Sequence, residues 1–410
     1  MEFEREMWAS SGGCRLVARN LFRRNVHLWK LLSTDSASSK EGVSSVVEPE
    51  GSRLLKVAII GVPNAGKSTL VNRLMSMEVC PVSRKPHTTR TTQNAIMLEQ
   101  DTQLVLADTP GMVNKKEVKK FSVPEEFRIA PENAVRDADI IAVIHSIENK
   151  ILRNKLDPKV IDVLVKFPTK QSVLIINKID KIKGKRKLLN TVFYLCDGVV
   201  GGKPIPVTKQ KSKEKEPSME VMFRKTKLKM SLTNTTQSHN ESNRSDDKEP
   251  APASFKDIKT DENGRPVRGW SNFQEVFLIS AQEGNGVENL KNYLTGSARP
   301  SPWAFGSEIL TDCPPAELAI RIVKSKMLEY LKNEIPYTHE PTLEYWDTND
   351  RGFLRIVVQI KVQQERIMPI FFGGNKLQII KEESERQLSV LLSTSVDLLI
   401  NVIFAQRKKK

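Results

Sequence analysis

The stretch from Lys56 to Leu70 carries the residue types and the spacing needed to bind phosphate. An apolar, β-branched run ends at Gly61, and four residues separate that glycine from Gly66. This pattern predicts a strand, a phosphate-binding loop (P-loop) and a helix whose N-terminal N–H groups face the phosphate. Gly61 would let the chain turn off the strand, and Gly66 would let the backbone approach the β-phosphate closely.

The side chains of this loop have separate predicted roles. Lys67 would reach the β- and γ-oxygens of the nucleotide, and the Ser68 hydroxyl would coordinate Mg²⁺. Asn64, Ala65 and Thr69 complete the predicted phosphate contacts of the loop. The sequence therefore predicts a site for a nucleoside triphosphate.

A second motif, Asp108-Thr109-Pro110-Gly111, follows the apolar run 104–107. Asp108 would hold Mg²⁺ through water, and the Gly111 N–H would contact the γ-phosphate and reorient when it leaves. Met112 occupies the next position, where some P-loop nucleotide hydrolases have a glutamine that orients the attacking water. Because methionine cannot orient water in this way, we expect slow intrinsic hydrolysis that an RNA or protein partner stimulates.

A third motif, Asn177-Lys178-Ile179-Asp180, predicts the base of the nucleotide. The Asp180 carboxylate can accept hydrogen bonds from N1 and N2 of guanine, whereas adenine offers no such donor pair. The aliphatic part of Lys178 can lie along the ring. Ser280-Ala281 would add a backbone N–H to the guanine carbonyl, so the predicted ligands are GTP and GDP.

The segment 54–200 alternates apolar β-branched runs with helical patterns, which predicts a P-loop α/β domain. Its sheet is expected to be mainly parallel, with helices on both faces and strands at 104–107, 140–144, 172–176 and 276–279. A segment rich in Lys, Ser, Thr and Asn at about 203–270 buries too little apolar surface to offset its ordering entropy. We therefore expect a domain at 54–298 with a flexible insertion. The insertion's lysines fit a solvated loop better than contact with RNA.

The segment 300–405 predicts a smaller α+β domain, followed by a basic tail at 406–410. Apolar residues recur at helical spacing from Leu318 to Leu331, and 354–362 alternates as a strand does. A turn at Gly373-Gly374 precedes a second helical pattern, and 396–404 closes as a strand.

These motifs, together with His87-Thr88-Thr89-Arg90, resemble those of the Era family of GTPases. The module at 300–405 resembles the KH domain of that family, and the resemblance covers 54–200 and 271–405. It implies binding of small-subunit ribosomal RNA near its 3′ end and a role in assembly of the small ribosomal subunit. Neither inference follows from spacing or charge.

The resemblance also bears on two polar positions. Either Thr88 or Thr89 is the switch I threonine, and the resemblance favours Thr89, whose hydroxyl would complete the Mg²⁺ ligands only with GTP bound. A plain surface loop is the competing interpretation. Asn64 resembles the asparagine that ligates a stimulating K⁺ in some related GTPases, and a structural turn residue is the alternative.

The predicted KH domain departs from its family at the glycine loop. A KH loop uses Gly-x-x-Gly so that its backbone can lie against RNA. The register Gly373-Gly374-Asn375-Lys376 lacks the final glycine, and the register Phe371-Phe372-Gly373-Gly374 lacks the first. RNA binding is therefore expected to be weaker or to use Lys376 and Lys381. Both phenylalanines can stack on bases, but apolar packing at a strand end is the favoured interpretation.

Composition bounds the choice of partner and compartment. The formal charge of +15 and the pI near 9.5 over 410 residues indicate an anionic partner, with nucleic acid ahead of a membrane surface. Four cysteines without paired spacing fit a reducing compartment rather than a zinc site or a disulfide scaffold. No apolar run is long enough to span a bilayer.

Residues 1–50 are typical of a mitochondrial transit peptide, because Met7 to Thr34 contains arginines and apolar residues but no acidic residue. Glu2, Glu4 and Glu6 do not fit that pattern, so a disordered basic arm or a chloroplast signal stays open. The expected location is the mitochondrial matrix or the matrix face of the inner membrane, with peripheral membrane contact and no oligomer.

The leading hypothesis is an RNA-binding GTPase whose nucleotide state controls its release from pre-ribosomal RNA. One alternative is a signalling or membrane-surface GTPase whose C-terminal domain binds protein. A second alternative, an inactive nucleotide-binding scaffold, is disfavoured because Lys67, Ser68 and Asp108 are all present.

Overall fold

The computed structural model describes 49–83, 85, 91–112, 126–148, 152–182, 184–206, 268–332, 335–348 and 353–404. Packing separates one unit, 1–203 with 268–410, from a second unit, 204–267, of which only 204–206 are described. The predictions for the N-terminal arm, Thr88, Thr89, the basic tail and most of the insertion concern residues outside these ranges.

The described residues contain twelve strands and nine α-helices. The strands are β1 (Arg53–Ile60), β2 (Gln93–Glu99), β3 (Thr102–Asp108), β4 (Ile140–Ser146), β5 (Gln171–Asn177), β6 (Val199–Val200), β7 (Lys203–Pro204), β8 (Phe273–Leu278), β9 (Arg299–Pro300), β10 (Pro341–Thr348), β11 (Leu354–Val362) and β12 (Val396–Phe404). The helices are α1 (Lys67–Met75), α2 (Glu126–Asp137), α3 (Pro158–Lys166), α4 (Lys185–Leu195), α5 (Val287–Gly296), α6 (Pro315–Tyr330), α7 (Ile335–Thr338), α8 (Met368–Phe372) and α9 (Lys376–Leu391).

The larger sheet is centred on β1 and has the strand order β2-β3-β1-β4-β5-β8. Its strands are parallel except for β2, which runs antiparallel to β3, and β9, which pairs antiparallel with the start of β1. All seven residues of β3 are buried, as expected for an inner strand covered on both faces. The predicted α/β domain with a mainly parallel sheet is confirmed.

Three of the predicted strands lie within observed strands, and a fourth overlaps one only in part. The runs 104–107, 140–144 and 172–176 lie within β3, β4 and β5. The run 276–279 overlaps β8, but this strand begins at Phe273 and ends before Ile279. Because β8 is last in the strand order and exposes Gln274 and Glu275, its polar beginning does not resemble a core strand.

The smaller domain has a three-stranded sheet in the order β10-β11-β12. β11 pairs antiparallel with β10 and parallel with β12. Along β11, burial alternates from Leu354 to Val362, so one face joins a core shared with α6 and α9. The order of helix, strands, helix and strand agrees with the prediction, and the structure adds the short helices α7 and α8.

The linker between the domains lies along the larger sheet. β9 pairs with Arg53 and Leu54 of β1, and the Trp303 indole Nε1 donates to the Asp101 carbonyl at 3.0 Å. The side-chain Oε1 of Gln103 accepts hydrogen bonds from the backbone N–H groups of Ala304 and Phe305 at 2.9 and 3.0 Å. Pro300 and Pro302, which begin the segment 300–405, therefore belong to an ordered connection.

Three of the cysteines, Cys80, Cys196 and Cys313, are buried free thiols. Within the described ranges, no three His, Cys, Asp or Glu side chains are grouped so that they could hold a metal ion. Among the same residues, no helix combines the length and the apolar character needed to cross a bilayer.

Candidate nucleotide-binding site

The loop between β1 and α1 is closed by its own lysine. The Lys67 ammonium group lies 3.2 Å from the Gly61 carbonyl oxygen and 3.1 Å from that of Val62. Only 6 % of Lys67 is exposed. Gly66 precedes the helix with φ of 99°, a left-handed conformation that glycine adopts without strain. The chain therefore wraps around the lysine and directs the first turn of α1 toward the same space.

Burial controls the charge of this lysine. It lowers the pKa of Lys67 from its ordinary value to about 8, and the nearby Asp108 carboxylate opposes the shift. A buried ammonium group gains stability from an anion placed within hydrogen-bonding distance. The loop thus fits a phosphate ligand, as the sequence predicts.

The glycines of the site are required by contacts with other loops. A Cβ on Gly61 would stand 2.5 Å from the Ile144 carbonyl oxygen, and one on Gly66 would stand 2.3 Å from the Asn177 amide nitrogen. A Cβ on Gly111 would stand 2.7 Å from the Cα of Pro63. The positive φ values of this loop are at Asn64 and Gly66, so Gly61 is required for the close contact with Ile144 rather than for a left-handed conformation.

A hydroxyl and a carboxylate meet beside the first turn of α1. The Ser68 Oγ donates to Asp108 Oδ2 at 2.6 Å, and Thr109 Oγ1 fixes the end of β3 by donating to the Ile59 carbonyl at 2.7 Å. Mg²⁺ prefers oxygen ligands such as the Ser68 hydroxyl and the Asp108 carboxylate. The donor set therefore fits the predicted metal, and its third predicted member, Thr89, lies outside the described residues.

Met112 has a structural position. Its backbone N–H donates to the Gly61 carbonyl at 3.1 Å, its carbonyl accepts from Lys159 Nζ at 3.1 Å, and only 4 % of the residue is exposed. This pairing ties the Asp108–Gly111 motif to the P-loop. The methionine side chain lies in the core rather than in solvent.

Asn177 joins the P-loop to the predicted guanine-binding loop. Its side-chain N–H donates to the Ala65 carbonyl at 2.9 Å, and its Oδ1 accepts from the Ala281 backbone N–H at 2.9 Å. The side chain is buried, so both hydrogen bonds are shielded from water. In this structure the N–H predicted to reach the guanine carbonyl is therefore already paired with Asn177.

Asp180 and Lys178 lie beside this bridge. The Ser280 hydroxyl donates to Asp180 Oδ1 at 2.8 Å, which positions one carboxylate oxygen. Partial burial would raise the pKa of Asp180, but the hydrogen bonds from Ser280 and Lys181 outweigh it and lower the pKa. The Lys178 ammonium group pairs with Glu148 at 2.7 Å. The carboxylate is thus ionised and oriented, as recognition of guanine requires.

Two residues of α1 that belong to no sequence motif position the surrounding loops. Arg73 Nε donates to the Ala281 carbonyl at 3.0 Å, and its guanidinium also contacts the Gln282 carbonyl. Asn72 forms a reciprocal pair with the Cys80 backbone, at 2.8 and 2.7 Å. Their partners lie far along the chain or across a loop, so no local pattern reveals these roles.

Hydrogen bonds to the smaller domain hold the segments on either side of 86–90. Lys85 Nζ donates to the Leu331 carbonyl just after α6, at 2.6 Å. Arg321 of α6 donates to Gln93 Oε1 at 3.2 Å and also contacts Thr91. The chain that contains Thr88 and Thr89 is therefore anchored at both of its ends to one helix of the smaller domain.

The glycine loop of the smaller domain is a tight turn between two helices. Gly373–Asn375 forms a 3₁₀ turn after α8, and Lys376 begins α9. Phe371 is fully buried, whereas Phe372 is 56 % exposed. The packing prediction is therefore right for Phe371, which lies in a helix rather than at a strand end, and wrong for Phe372. Lys376 and Lys381 are both half-buried on α9.

Together, the strand-loop-helix lysine, the Ser68–Asp108 pair and the Asn177–Asp180 motif on one parallel sheet define a P-loop GTPase. A family model described as a 50S ribosome-binding GTPase matches residues 56–178. The mitochondrial GTPase Era of Salmo salar is 35 % identical over 368 residues, 87 % of this chain and 77 % of its own. The corresponding protein of Danio rerio is 32 % identical over 87 % of this chain and 76 % of its own. The chain belongs to the Era family of GTPases, and the names of these relatives support a mitochondrial location.

One solved structure supports the fold. It is a crystal structure of Era in complex with MgGDPNP and nucleotides 1506–1542 of 16S ribosomal RNA, 21 % identical in sequence. The match covers 87 % of this chain and 95 % of that one with a TM-score of 0.57. The likeness therefore extends over both domains.

Proposed function

We propose that this protein binds small-subunit rRNA near its 3′ end and assists assembly of the mitochondrial small ribosomal subunit, with GTP and GDP controlling RNA binding and release. The main support is the extent of the similarity: relatives named GTPase Era match 87 % of the chain, including both the nucleotide site and the smaller domain. An Era protein has been crystallised with MgGDPNP and a segment of 16S rRNA. The formal charge of +15 suits such an anionic partner.

The phosphates would be held by the P-loop. The N–H groups from Asn64 to Thr69 would face them, and Lys67 would exchange its bonds to the loop carbonyls for the β- and γ-oxygens. Ser68, Asp108 and Thr89 would hold Mg²⁺. When bound, the metal ion neutralises charge that develops on the phosphate oxygens. The Gly111 N–H would donate to the γ-phosphate and lose that partner after hydrolysis.

Guanine would be selected by Asp180, whose ionised carboxylate accepts two hydrogen bonds from the base. Lys178 would lie along the ring with its ammonium group held by Glu148, and Asn177 and Ser280-Ala281 would fix the shape of the pocket. Since the Ala281 N–H is paired with Asn177, its use by the guanine carbonyl would require sharing or exchange of that hydrogen bond.

Hydrolysis is proposed to be slow without a partner, because Met112 replaces a water-orienting glutamine and its side chain is buried. RNA or a protein would supply the stimulation. A contribution of K⁺ through Asn64 stays a prediction. The φ of 59° at this residue is a conformation that asparagine tolerates well, which gives the residue type a structural reason as well.

Nucleotide state would reach the RNA site through the contacts of Lys85 and Arg321 with the smaller domain. With GTP bound, the segment between these anchors and the Gly111 loop would be ordered around the γ-phosphate. After hydrolysis that order would be lost, and the change would reach α6. RNA affinity would then differ between the GTP and GDP states.

The remaining parts of the chain complete the proposal. Residues 1–50 would direct import into the mitochondrial matrix, and 54–298, with its insertion at about 203–270, would form the GTPase domain. Residues 300–405 would bind RNA through Gly373, Gly374, Asn375, Lys376 and Lys381, followed by the basic tail at 406–410. Peripheral contact with the inner membrane and a monomeric state belong to the same proposal.

A signalling or membrane-surface GTPase is not favoured, because the similarity to Era proteins continues through the smaller domain. Crosslinking of the full chain to RNA inside cells tests the choice. We expect specific crosslinks on small-subunit rRNA that disappear when 300–410 is removed. A full-length Asp180→Ala variant, whose smaller domain is intact, serves as the control for nucleotide dependence. Recovery of lipid or protein without RNA would contradict the proposal.

A further inference from the structure

Two adjacent aromatic residues at the glycine loop of the smaller domain have opposite environments. Phe371 is fully buried and lies edge-on to His339, with 6.3 Å between ring centroids, whereas Phe372 is 56 % exposed. Phe371 therefore packs α8 against the core, whereas more than half of Phe372 faces solvent. A single exposed apolar side chain is common on proteins, so its surroundings decide what it signifies.

The backbone beside Phe372 is open. Residues 372–375 form a continuous exposed stretch, in contrast to Phe371 before it. A Cβ built on Gly373 or Gly374 would meet no atom of the described residues within 4 Å. A flat ligand that contacts the ring can therefore also lie against the backbone of these glycines.

The charge beside the ring suits an anionic group. Lys376 begins α9, and the first turn of neither α8 nor α9 contains an acidic residue. Lys376 is half-buried, so its side chain can reach solvent close to Phe372 in sequence. An aromatic ring combined with a positively charged side chain is the combination that binds an unpaired nucleotide.

We infer that Phe372 is a stacking platform for an unpaired base of single-stranded RNA, with Lys376 facing the neighbouring phosphate. This inference rests on the proposed function, because it names the side chain with which the smaller domain binds RNA. In a Gly-x-x-Gly loop the first glycine permits backbone contact with RNA. In the register Phe371-Phe372-Gly373-Gly374, Phe371 takes that position and is buried, and stacking on Phe372 supplies affinity in its place.

The test uses the full chain with Mg²⁺ and a non-hydrolysable GTP analogue. The probe is a fluorescently labelled single-stranded RNA copied from the 3′ end of small-subunit rRNA, and Kd is measured by anisotropy. We expect Phe372→Ala to raise Kd about tenfold, which is typical when one stacked base loses its ring. Phe372→Leu should lose as much affinity as Phe372→Ala, and Phe372→Trp should retain it.

Two further variants separate stacking from other effects. Val390→Ala removes another exposed apolar side chain of the same domain, 55 % exposed on α9, and should leave Kd unchanged. Lys376→Ala should reduce the slope of log Kd against log salt concentration by about one, whereas Phe372→Ala should leave the slope at its wild-type value. GDP affinity, measured on the same preparations, reports that each variant is folded.

The outcomes distinguish this inference from the proposed function. If Phe372→Ala binds RNA as tightly as wild type, the stacking role is wrong while RNA binding stands. If Phe372→Leu retains full affinity, apolar contact rather than stacking accounts for binding, and the inference is again overturned. If the wild-type chain itself does not bind RNA, the proposed function fails and the inference fails with it.

Discussion

The two regions proposed to bind ligands differ in how many of their polar groups already form hydrogen bonds within the protein. In the nucleotide site, Lys67 is paired with carbonyls of its own loop, and Ser68 and Asn177 have hydrogen-bond partners from distant parts of the chain. At the glycine loop of the smaller domain, by contrast, residues 372–375 are exposed and the glycine backbone faces open space within the described structure. The first region is held in shape by contacts that a ligand must partly replace, and the second presents its surface directly.

This difference has an energetic consequence. A substitution in the nucleotide site should change folding stability and ligand affinity together, because the same hydrogen bonds serve both. A substitution in the glycine loop should change RNA affinity with little effect on folding. The following variants test that contrast.

The largest effect is expected for Lys67→Ala. Removing the buried ammonium group deletes at least two charged hydrogen bonds to phosphate, each contributing about 1.5–3 kcal/mol, so the Kd for GTP should rise about a thousandfold. Multiple-turnover release of phosphate should stop. Lys166→Ala, which removes an exposed lysine paired with Glu132, is the matched control and should behave as wild type. If Lys67→Ala released phosphate at the wild-type rate, the phosphates of GTP would have to bind at another place.

Asn177→Ala and Asn375→Ala compare the two regions with one residue type. Asn177→Ala leaves the Ala65 carbonyl and the Ala281 N–H buried without their partner, so the free energy of unfolding should fall by about 3 kcal/mol. Asn375 is exposed with φ of 56°, and its replacement should cost about 1 kcal/mol through backbone strain. Urea denaturation without nucleotide measures both values. Equal losses would remove the proposed contrast.

The pKa of Lys67 predicts a pH dependence of GDP affinity. In the nucleotide-free protein, burial lowers this pKa to about 8, and a bound phosphate would raise it again. The complex then binds more protons than the free protein above pH 8. Affinity should therefore be constant below about pH 8 and fall up to about tenfold per pH unit above it.

Isothermal titration between pH 7 and pH 9 measures this dependence. Lys67→Arg is the control, because a guanidinium group stays charged throughout and the base of GDP titrates equally in both proteins. A flat profile for wild type would show that the lysine keeps its proton without phosphate. A profile that falls equally in both proteins would assign the dependence to the nucleotide.

The smallest effect is expected for Arg321→Ala, which removes the contacts of α6 with Thr91 and Gln93. The ratio of RNA affinities in the GTP and GDP states should shrink about threefold, a loss of less than 1 kcal/mol of coupling. Arg355→Ala removes an exposed arginine paired with Asp397 on the smaller sheet and is the control. An unchanged ratio in Arg321→Ala would exclude this contact from the coupling.

The contrast between the two regions also explains what could be predicted from sequence. The P-loop, the ends of β3 and β5 and the alternation along β11 are local patterns, so their residues could be assigned without knowing any partner. The prediction that Phe372 packs was wrong because the pattern of two adjacent apolar residues does not show which of them faces the core.

Other features depend on contacts between distant residues. Glycine is required at positions 61 and 66 because a Cβ there would clash with Ile144 and Asn177. The Arg73 side chain is held by its hydrogen bond to the Ala281 carbonyl. β2 is not evident from the sequence, because it begins with polar residues, and Gln93 is buried through a hydrogen bond to the distant Thr311 at 3.0 Å. Such contacts become visible only when the fold brings the segments together.

The pairing of β9 with β1 makes the order of synthesis matter. Arg53 and Leu54 open the larger sheet, and their neighbours, Pro300 and Arg299, are translated only after the rest of that sheet. In a nascent chain that ends at residue 298, the start of β1 would lack its pairing with β9. Folding on the ribosome can therefore finish the GTPase domain only after the connection to the smaller domain has emerged from the exit tunnel.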